Sequence, residues 1–356
     1  MTTKIKDLTG PGLTDRFGVG GTDLGFPFRL PNGSYMYIFG DTFENAGVGG
    51  PGWRSPVGLR SRTGTPTGRP LSEGIVWDNA AGGTYAKQLV RYEHDTSLRP
   101  GATFTLIPCD AITIGSKSYL EAVSIRDWNS SDPATVTNYG ELFVCDDPYG
   151  EDWRPTGVRW TGRLDQNWTM EKGGDGYVYI ISSAFSRAIS GMVLQRVREE
   201  EILDKAAYEP RGWTEEHGWL WGQPCTPILP DQAGEMSLRR IQGTWVLSYF
   251  DSAGYRIAIR TAAHIDGGWT APVTAVKGGA WGAESGDTVA QLYGGYIHPE
   301  SRLDDLHLIV SQWNTEKEAK GWPYRAMQFR SSIPPAVETS ELADQERGEP
   351  PVTAPA

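Results

Sequence analysis

Residues 243–250 read Gly-Thr-Trp-Val-Leu-Ser-Tyr-Phe, and residues 256–260 read Arg-Ile-Ala-Ile-Arg. Both runs are short, apolar and rich in aromatic and β-branched residues, which predicts two neighbouring β-strands. A glycine opens the first run, as expected for a turn that leads into a strand. This unit of turn, strand and second strand decides the fold, because weaker copies of it recur along the chain.

Four further copies of the unit precede and follow this one. Their first strands are predicted at residues 35–39, 119–125, 177–182 and 306–313. From the second copy onward the spacing is roughly 60–70 residues, whereas the first gap is longer and rich in Gly, Pro and Arg. Because a propeller blade is a four-stranded sheet, five such units predict an all-β fold, a five-bladed β-propeller. A β-sandwich would give no repeat of this length.

The composition agrees with a large β-rich domain. The chain has 356 residues, of which 44 are Gly, 24 are Pro and 14 are Trp. We expect the propeller to occupy residues 1–330. Residues 331–356 are rich in Pro, Glu, Ala and Thr and are predicted to form a disordered tail or linker. One helix is predicted at residues 197–207, which are charged and contain good helix formers.

The charge excludes several classes of partner. A net charge of −11 argues against a nucleic acid bound through its phosphates and against an anionic membrane surface. No apolar stretch is long enough to cross a bilayer, and residues 1–7 contain no apolar segment of a signal peptide. Three cysteines without metal-binding spacing give no reason to expect a metal or a cofactor. We expect a monomer, because a closed propeller can function as one.

Two aspartates lie in glycine-rich frames near the N-terminus. Asp23 lies in Gly-Val-Gly-Gly-Thr-Asp-Leu-Gly (residues 18–25), and Asp41 lies in Phe-Gly-Asp-Thr-Phe (residues 39–43). One comes before the strand at residues 35–39 and the other after it, so a hairpin can bring them to the same end of a sheet. Cleavage of a glycosidic bond needs two carboxyl groups at one mouth, one to donate a proton and one to attack or to activate water. The alternative is that both aspartates cap turns.

Three glutamates are further candidates for contact with a substrate. Glu235 lies before the strand at residues 243–250. It therefore has the same place in the fourth repeat as Asp23 has in the first. Glu171 lies at the corresponding place in the third repeat, and Glu121 lies inside an alternating run of the second. The alternatives are a turn or salt-bridge carboxylate for Glu235 and a surface carboxylate for Glu121.

Four other side chains complete the predicted substrate-binding set. His298 can bond a sugar hydroxyl or tune a carboxylate, although a structural histidine is the favoured interpretation. Arg54 follows the acidic pair closely and is expected to hold a carboxylate ionised. Trp53 and Trp128 are candidates for stacking on sugar rings, with core packing as the alternative.

Together with residues 54–56 (Arg-Ser-Pro) and 293–299 (Tyr-Gly-Gly-Tyr-Ile-His-Pro), the two aspartate motifs resemble the domain-of-unknown-function family 4185. That family is recognised as endo-D-arabinanases, glycoside hydrolase family 183. The resemblance extends from about residue 10 to about residue 330, with specific motifs at the N-terminus and only a matching pattern in the middle repeats.

The resemblance implies a five-bladed propeller that cleaves internal α-D-arabinofuranosidic bonds of mycobacterial arabinogalactan and lipoarabinomannan, with Asp23 and Asp41 as the catalytic pair. Members of the family occur in actinobacteria and their bacteriophages. We therefore expect action outside the cell on the cell wall, associated with a phage virion or with lysis. One alternative is a carbohydrate-binding propeller without catalysis, such as a receptor-binding module of a phage tail. Another is a propeller glycosidase acting on L-arabinan or fructan.

Overall fold

The computed structural model describes residues 2–314 and 324–333. Regular structure in these residues consists of β-strands and five 3₁₀ helices of three residues each, and the strands form five separate sheets. The prediction of an all-β, five-bladed propeller is confirmed. Within the described ranges, no helix is long and apolar enough to span a membrane.

Each sheet is one blade, and its strands follow in chain order from the channel outward, with the N-terminal strand as the single exception. The strands are β1 (Thr3–Asp7), which joins blade 5; β2 (Leu24–Arg29), β3 (Tyr35–Phe39), β4 (Val57–Ser61) and β5 (Asn79–Ala80) in blade 1; β6 (Thr105–Ile114), β7 (Lys117–Ile125), β8 (Thr137–Cys145) and β9 (Arg154–Trp160) in blade 2; β10 (Asn167–Lys172), β11 (Tyr177–Ser183), β12 (Val193–Arg198), β13 (Glu209–Thr214) and β14 (Gly218–Trp221) in blade 3; β15 (Ala233–Ile241), β16 (Thr244–Asp251), β17 (Arg256–Ala262), β18 (Val273–Gly279) and β19 (Thr288–Ala290) in blade 4; and β20 (Leu292–Ile297), β21 (Leu306–Gln312) and β22 (Arg325–Ser331) in blade 5.

The five strands predicted from the repeat are the second strands of the blades, β3, β7, β11, β16 and β21. These strands are buried along almost their whole length because they lie between an inner and an outer neighbour and pack against the adjoining blades. A short strand that is buried on both faces has the strongest apolar signal in a sequence. That is why the repeat was visible at these positions.

The helix predicted at residues 197–207 does not form as an α-helix. Residues 197 and 198 are the end of β12, where Val197 pairs with Val178 and Arg198 pairs with Tyr177. Two 3₁₀ turns follow, at Glu199–Glu201 and Lys205–Ala207. Sheet pairing thus overrides the local helix propensity of a charged stretch. The other 3₁₀ helices are Asp15–Phe17, Leu71–Glu73 and Pro133–Thr135.

The ring is closed by the N-terminal strand. In blade 5, β1 pairs antiparallel with β22, with Thr3 opposite Arg330 and Asp7 opposite Met327. The outer strand of the last blade therefore comes from the start of the chain. The predicted tail lies outside the described residues except for residues 331–333, so the boundary at residue 330 stays a prediction.

The innermost strands β2, β6, β10, β15 and β20 surround the channel, each in contact with the next. Part of the way down the channel, Asp110 accepts hydrogen bonds from Thr169 Oγ1 at 2.8 Å and from Met170 N at 2.9 Å. Arg239 lies 3.4 Å from the same carboxylate oxygen and donates to Pro27 O at 3.1 Å. This buried network connects blades 1 to 4 and fixes the innermost strands relative to one another.

Candidate active site

The innermost strands begin at one end of the channel, which we call the upper mouth. Several contacts bring their starts together: Thr105 Oγ1 donates to Asp41 Oδ1 at 2.6 Å, and Asn167 Nδ2 donates to Gly234 O at 2.6 Å. Tyr293 Oη donates to Asp23 Oδ2 at 2.7 Å. Residues from all five blades therefore lie at this end.

Asp23 and Asp41 lie opposite each other at the upper mouth. Asp23 directly precedes β2, and Asp41 lies two residues after the end of β3. The pairing of the two strands continues beyond both ends through a bridge between Gly21 and Phe43, and Thr22 Oγ1 lies 2.6 Å from Thr42 Oγ1. The hairpin thus places the two aspartates on neighbouring strand extensions.

Bulged backbone aims the acidic side chains. The strand register shifts between Leu24 and Phe26 in β2, and Leu24 has a φ of 61°, an unusual value for a residue with a side chain. A second shift, between Ala233 and Met236 of β15, contains Glu235. Bulges of this kind redirect side chains and are frequent beside functional sites.

Asp23 occupies a buried pocket that favours its protonated form. Burial, together with the like charges of Asp41 and Glu235, raises the pKa of Asp23 to about 7. The hydroxyl groups of Tyr324 and Tyr293 act in the opposite direction. Oδ2 accepts the Tyr293 bond, whereas Oδ1 is buried without a hydrogen-bond partner among the described residues. A carboxyl group in this state can donate a proton near neutral pH.

Asp41, in contrast to Asp23, accepts two hydrogen bonds on one carboxylate oxygen. Its Oδ1 accepts from Trp53 Nε1 at 2.7 Å and from Thr105 Oγ1 at 2.6 Å. Burial raises the pKa of Asp41, and both donors, with the nearby His94, act to lower it. Two carboxyl groups at one mouth thus have different environments, the arrangement that separates an acid from a base or nucleophile.

A third carboxylate, Glu235, is paired with an arginine. Glu235 Oε1 accepts from Arg187 Nη2, and Oε2 lies 3.4 Å from Gly294 N. The guanidinium of Arg187 also lies over the rings of Tyr293, at 5.2 Å, and Phe250, at 5.3 Å. Although burial opposes the charge, the Glu235 carboxylate raises the pKa of Arg187. Arg187 is therefore a fixed positive charge beside the acidic pair.

Trp53 and Trp128 lie at different places near the mouth. Trp53 bonds Asp41 and stacks on the His94 ring, with centroids 3.7 Å apart and planes inclined by 19°. Trp128 lies in the loop after β7 and is 44% exposed, with its ring 5.8 Å from that of Phe185. Trp53 thus orients a carboxylate, whereas Trp128 presents aromatic surface to solvent.

Arg54 braces loops and is not in contact with the aspartates. It donates to Gly52 O at 2.7 Å, Ala86 O at 2.6 Å and Gly18 O at 2.5 Å, and its guanidinium lies 4.2 Å from the centre of the Tyr85 ring. Its charge is not among the groups that shift the pKa of Asp23 or Asp41. In this structure the arginine stabilises the backbone around the motif.

Three other predicted residues are not brought to the upper mouth. Glu121 is fully buried in β7, and burial raises the pKa of its carboxyl well above the usual range. Glu171 lies farther down the channel, 4.0 Å from Arg239 Nε. His298 follows the end of β20, roughly 15 Å along the strand from Tyr293, and is buried with its ring 4.7 Å from that of Tyr35.

Several residues of the mouth were not singled out from the sequence. Tyr293 lies in the quoted Tyr-Gly-Gly-Tyr motif, whose glycines at positive φ lie at a bulge, and this motif is the signal that could have identified it. Thr105 begins an innermost strand, a position that could have been searched once the blades were assigned. Arg187 and Tyr324 lie in stretches without a motif. Among the described residues, no group of three or more His, Cys, Asp or Glu is arranged to hold a metal ion.

Comparison with known proteins gives a family and two groups of relatives. The family described as "Domain of unknown function (DUF4185)" matches residues 9–330. Notoamide biosynthesis cluster protein J' of Aspergillus versicolor is 33% identical over 325 residues, which cover 86% of this chain and 85% of that protein. An uncharacterized 35.9 kDa protein in the asd 3' region of Mycolicibacterium smegmatis is 30% identical over 341 residues, 89% of this chain and 93% of that protein.

Solved structures with the same fold are more distant in sequence. A candidate hydrolase from Bacteroides ovatus superposes with a TM-score of 0.63 at 14% identity, covering 89% of this chain and 87% of that one. An exo-beta-1,3-galactanase from Phanerochaete chrysosporium superposes with a TM-score of 0.55 at 8% identity, covering 95% of this chain and 66% of that one. At such low identity these structures show a shared fold.

Proposed function

The chain belongs to the DUF4185 family, and on that premise we propose that it is a glycoside hydrolase that cleaves internal α-D-arabinofuranosidic bonds of mycobacterial arabinogalactan and lipoarabinomannan. The observation that carries the proposal is the pair of carboxyl groups at the upper mouth, Asp23 with a pKa of about 7 and Asp41 held by two donors. The resemblance of the aspartate motifs to endo-D-arabinanases supports the choice of polymer. The fold is shared with an exo-beta-1,3-galactanase, so it is compatible with glycan cleavage.

In the proposed reaction Asp23 is the general acid. It gives its proton to the glycosidic oxygen as the bond between that oxygen and the anomeric carbon breaks. Asp41, whose carboxylate form is favoured by the hydrogen bonds from Trp53 and Thr105, attacks the anomeric carbon or takes a proton from the attacking water. The anomeric configuration of the first product distinguishes these two routes, because direct attack leads to retention and activation of water leads to inversion.

The buried environment and raised pKa of Asp23 support this proposal over a binding module. A buried carboxyl with like charges nearby destabilises the fold when it ionises, so a site that only held sugar would have no need of it. The substrate lies outside the cell membrane. We therefore propose that the protein acts there, released by lysis or carried by a phage particle.

The test is product analysis after incubation with purified mycobacterial arabinogalactan. Wild type should release short D-arabino-oligosaccharides, and Asp23→Asn and Asp41→Asn should release none while keeping the wild-type circular dichroism spectrum and melting no earlier than wild type. A folded wild type that binds the polymer without cleaving it would refute the hydrolase and favour a carbohydrate-binding propeller. Cleavage of L-arabinan or fructan alone would support the glycoside hydrolase proposal but refute D-arabinan as the substrate.

A further inference from the structure

One loop of blade 3 reaches across the upper mouth. Residues 184–192 connect β11 to β12. The loop is fixed near its middle, where Ser252 Oγ donates to Arg187 O at 2.9 Å, and near its end, where Gly191 N donates to Asp231 O at 3.1 Å. Arg187 has a φ of 57°, which a residue with a side chain rarely adopts. Strain of this kind persists where the surroundings over-determine the conformation, often at binding sites.

The same loop presents an aromatic side chain toward blade 2. Phe185 is partly buried against the main core, and its ring lies 5.8 Å from that of Trp128, with the planes inclined by 40°. Trp128 is 44% exposed. Both residues follow strands that end at the upper mouth, so the pair forms an aromatic platform at the same end of the propeller as the carboxyl groups.

Two residues farther along, the loop contacts the acidic cluster. Arg187 pairs with Glu235 and lies over the ring of Tyr293, whose hydroxyl donates to Asp23. Its side chain is 36% exposed and that of Glu235 is 13% exposed, so the pair forms part of the wall of the mouth. A single short loop therefore carries both an aromatic surface and a cation that contacts two neighbours of the proposed acid, Glu235 and Tyr293.

We propose that Trp128 and Phe185 form a stacking subsite for one sugar ring of the glycan, and that Arg187 is a positioning residue that orients Tyr293 and compensates Glu235 beside Asp23. This inference rests on the proposed glycosidase function. It assigns the part of the site that determines how affinity depends on the length of the substrate. The loop fixes the distance between a bound ring and the acid. Aromatic faces suit a neutral sugar, and the one cation of the loop is already paired with a carboxylate.

The platform is tested by kinetics on D-arabino-oligosaccharides of increasing length. Loss of an aromatic contact should raise KM for long substrates about three- to tenfold in Trp128→Ala and Phe185→Ala, and leave kcat and the shortest substrate unchanged. Trp128→Phe should restore most of the affinity. The matched control is Tyr149→Ala, which removes an aromatic ring that is 56% exposed at the other end of blade 2, and it should behave as wild type.

The positioning role of Arg187 is tested by the pH dependence of kcat/KM. If Arg187 had only a structural role, its replacement would not shift this pH dependence. The groups that face Asp23 are Asp41 after β3, Glu235 in β15, Tyr293 in β20 and Tyr324 before β22. Removing the cation in Arg187→Met leaves Glu235 uncompensated, so the basic limb of kcat/KM should move to higher pH as kcat falls. Arg187→Lys keeps the charge and should return the limb toward the wild-type position.

The outcomes separate this inference from the proposed function. If wild type cleaves the polymer and the platform variants lose activity equally at every substrate length, or lose none, the subsite is refuted. A wild-type pH profile in Arg187→Met refutes the positioning role. If wild type neither binds nor cleaves D-arabinan, the proposed function itself fails and the subsite fails with it.

Discussion

Gly40 controls the position of the proposed acid. A Cβ atom at residue 40 would lie 2.4 Å from Asp23 Oδ1 and 3.1 Å from Leu24 Cδ1. Ordinary contacts begin near 3.4 Å, so the carboxylate oxygen must move by about 1 Å in Gly40→Ala. Misplacing a reacting group by about 1 Å can lower a rate about 100-fold. We expect kcat on arabinan oligosaccharides to fall by that order.

The fold should tolerate the same change. Gly40 does not have a positive φ, and the atom that must yield is the end of a flexible side chain. Replacing Gly by Ala also lowers the entropy of the unfolded chain, which stabilises by about 0.4–1 kcal/mol where no strain results. The melting temperature of Gly40→Ala should therefore stay close to that of wild type.

Gly47→Ala is the matched control, because a Cβ atom there would meet nothing within 4 Å and its φ is not positive. Initial rates of both variants are compared at pH 6, with melting curves recorded on the same samples. Wild-type kcat in Gly40→Ala would refute the role of Asp23 as a precisely placed acid. Equal losses in Gly40→Ala and Gly47→Ala would attribute the effect to the loop and not to the carboxyl group.

Four other predictions follow from the same contacts. The raised pKa of Asp23 makes wild type less stable as pH rises from about 4 to about 7. Asp23→Asn should therefore become increasingly stabilising over that window, by at most about 4 kcal/mol in thermal unfolding at pH 8. A stability difference that does not change with pH would contradict this prediction. Tyr293→Phe removes a bond that lowers the pKa of Asp23, so the basic limb of kcat/KM should rise in pH. Thr105→Val removes a donor to Asp41 and should move the acidic limb to higher pH, and an unmoved limb would exclude Asp41 as the ionised partner. Deleting residues 1–8 removes β1 and should lower the melting temperature, as measured by circular dichroism.

The sequence predicts the second strands of the blades well, but it does not predict the outer strand β1 that closes the ring. The β3 strand is apolar in every position and buried, so its pattern is strong. The closing strand β1 reads Thr-Lys-Ile-Lys-Asp and is mostly half-buried. An outer strand with two lysines resembles a loop in sequence, because charge at a sheet edge protects it from pairing with other chains. Ring closure was therefore not predictable from local pattern.

For the site, motifs identify the aspartates but not their partners. Asp23 and Asp41 lie in glycine frames because the backbone makes close approaches there, and glycine leaves a trace in sequence. Arg187 lies in Ala-Phe-Ser-Arg-Ala, which carries no such trace. Glu121 illustrates the opposite failure: its alternating run gives the strand, but nothing local tells that this strand is second in its blade and covered on both sides.

The proposed acid is built across the seam where the ring closes. Asp23 belongs to the first blade, whereas Tyr293 and Tyr324 belong to the last, and Thr22 N donates to Tyr324 O at 2.8 Å. The strand after Tyr324 is β22, which is held by β1 from the start of the chain, and Leu8 N donates to Ala326 O at 2.9 Å. In blade 1 alone Asp23 would be exposed to water and would have an ordinary pKa, because burial is the largest cause of its shift. Closure of the propeller thus supplies the burial that raises the pKa of Asp23, so the proposed acid depends on contacts between the first and the last blade.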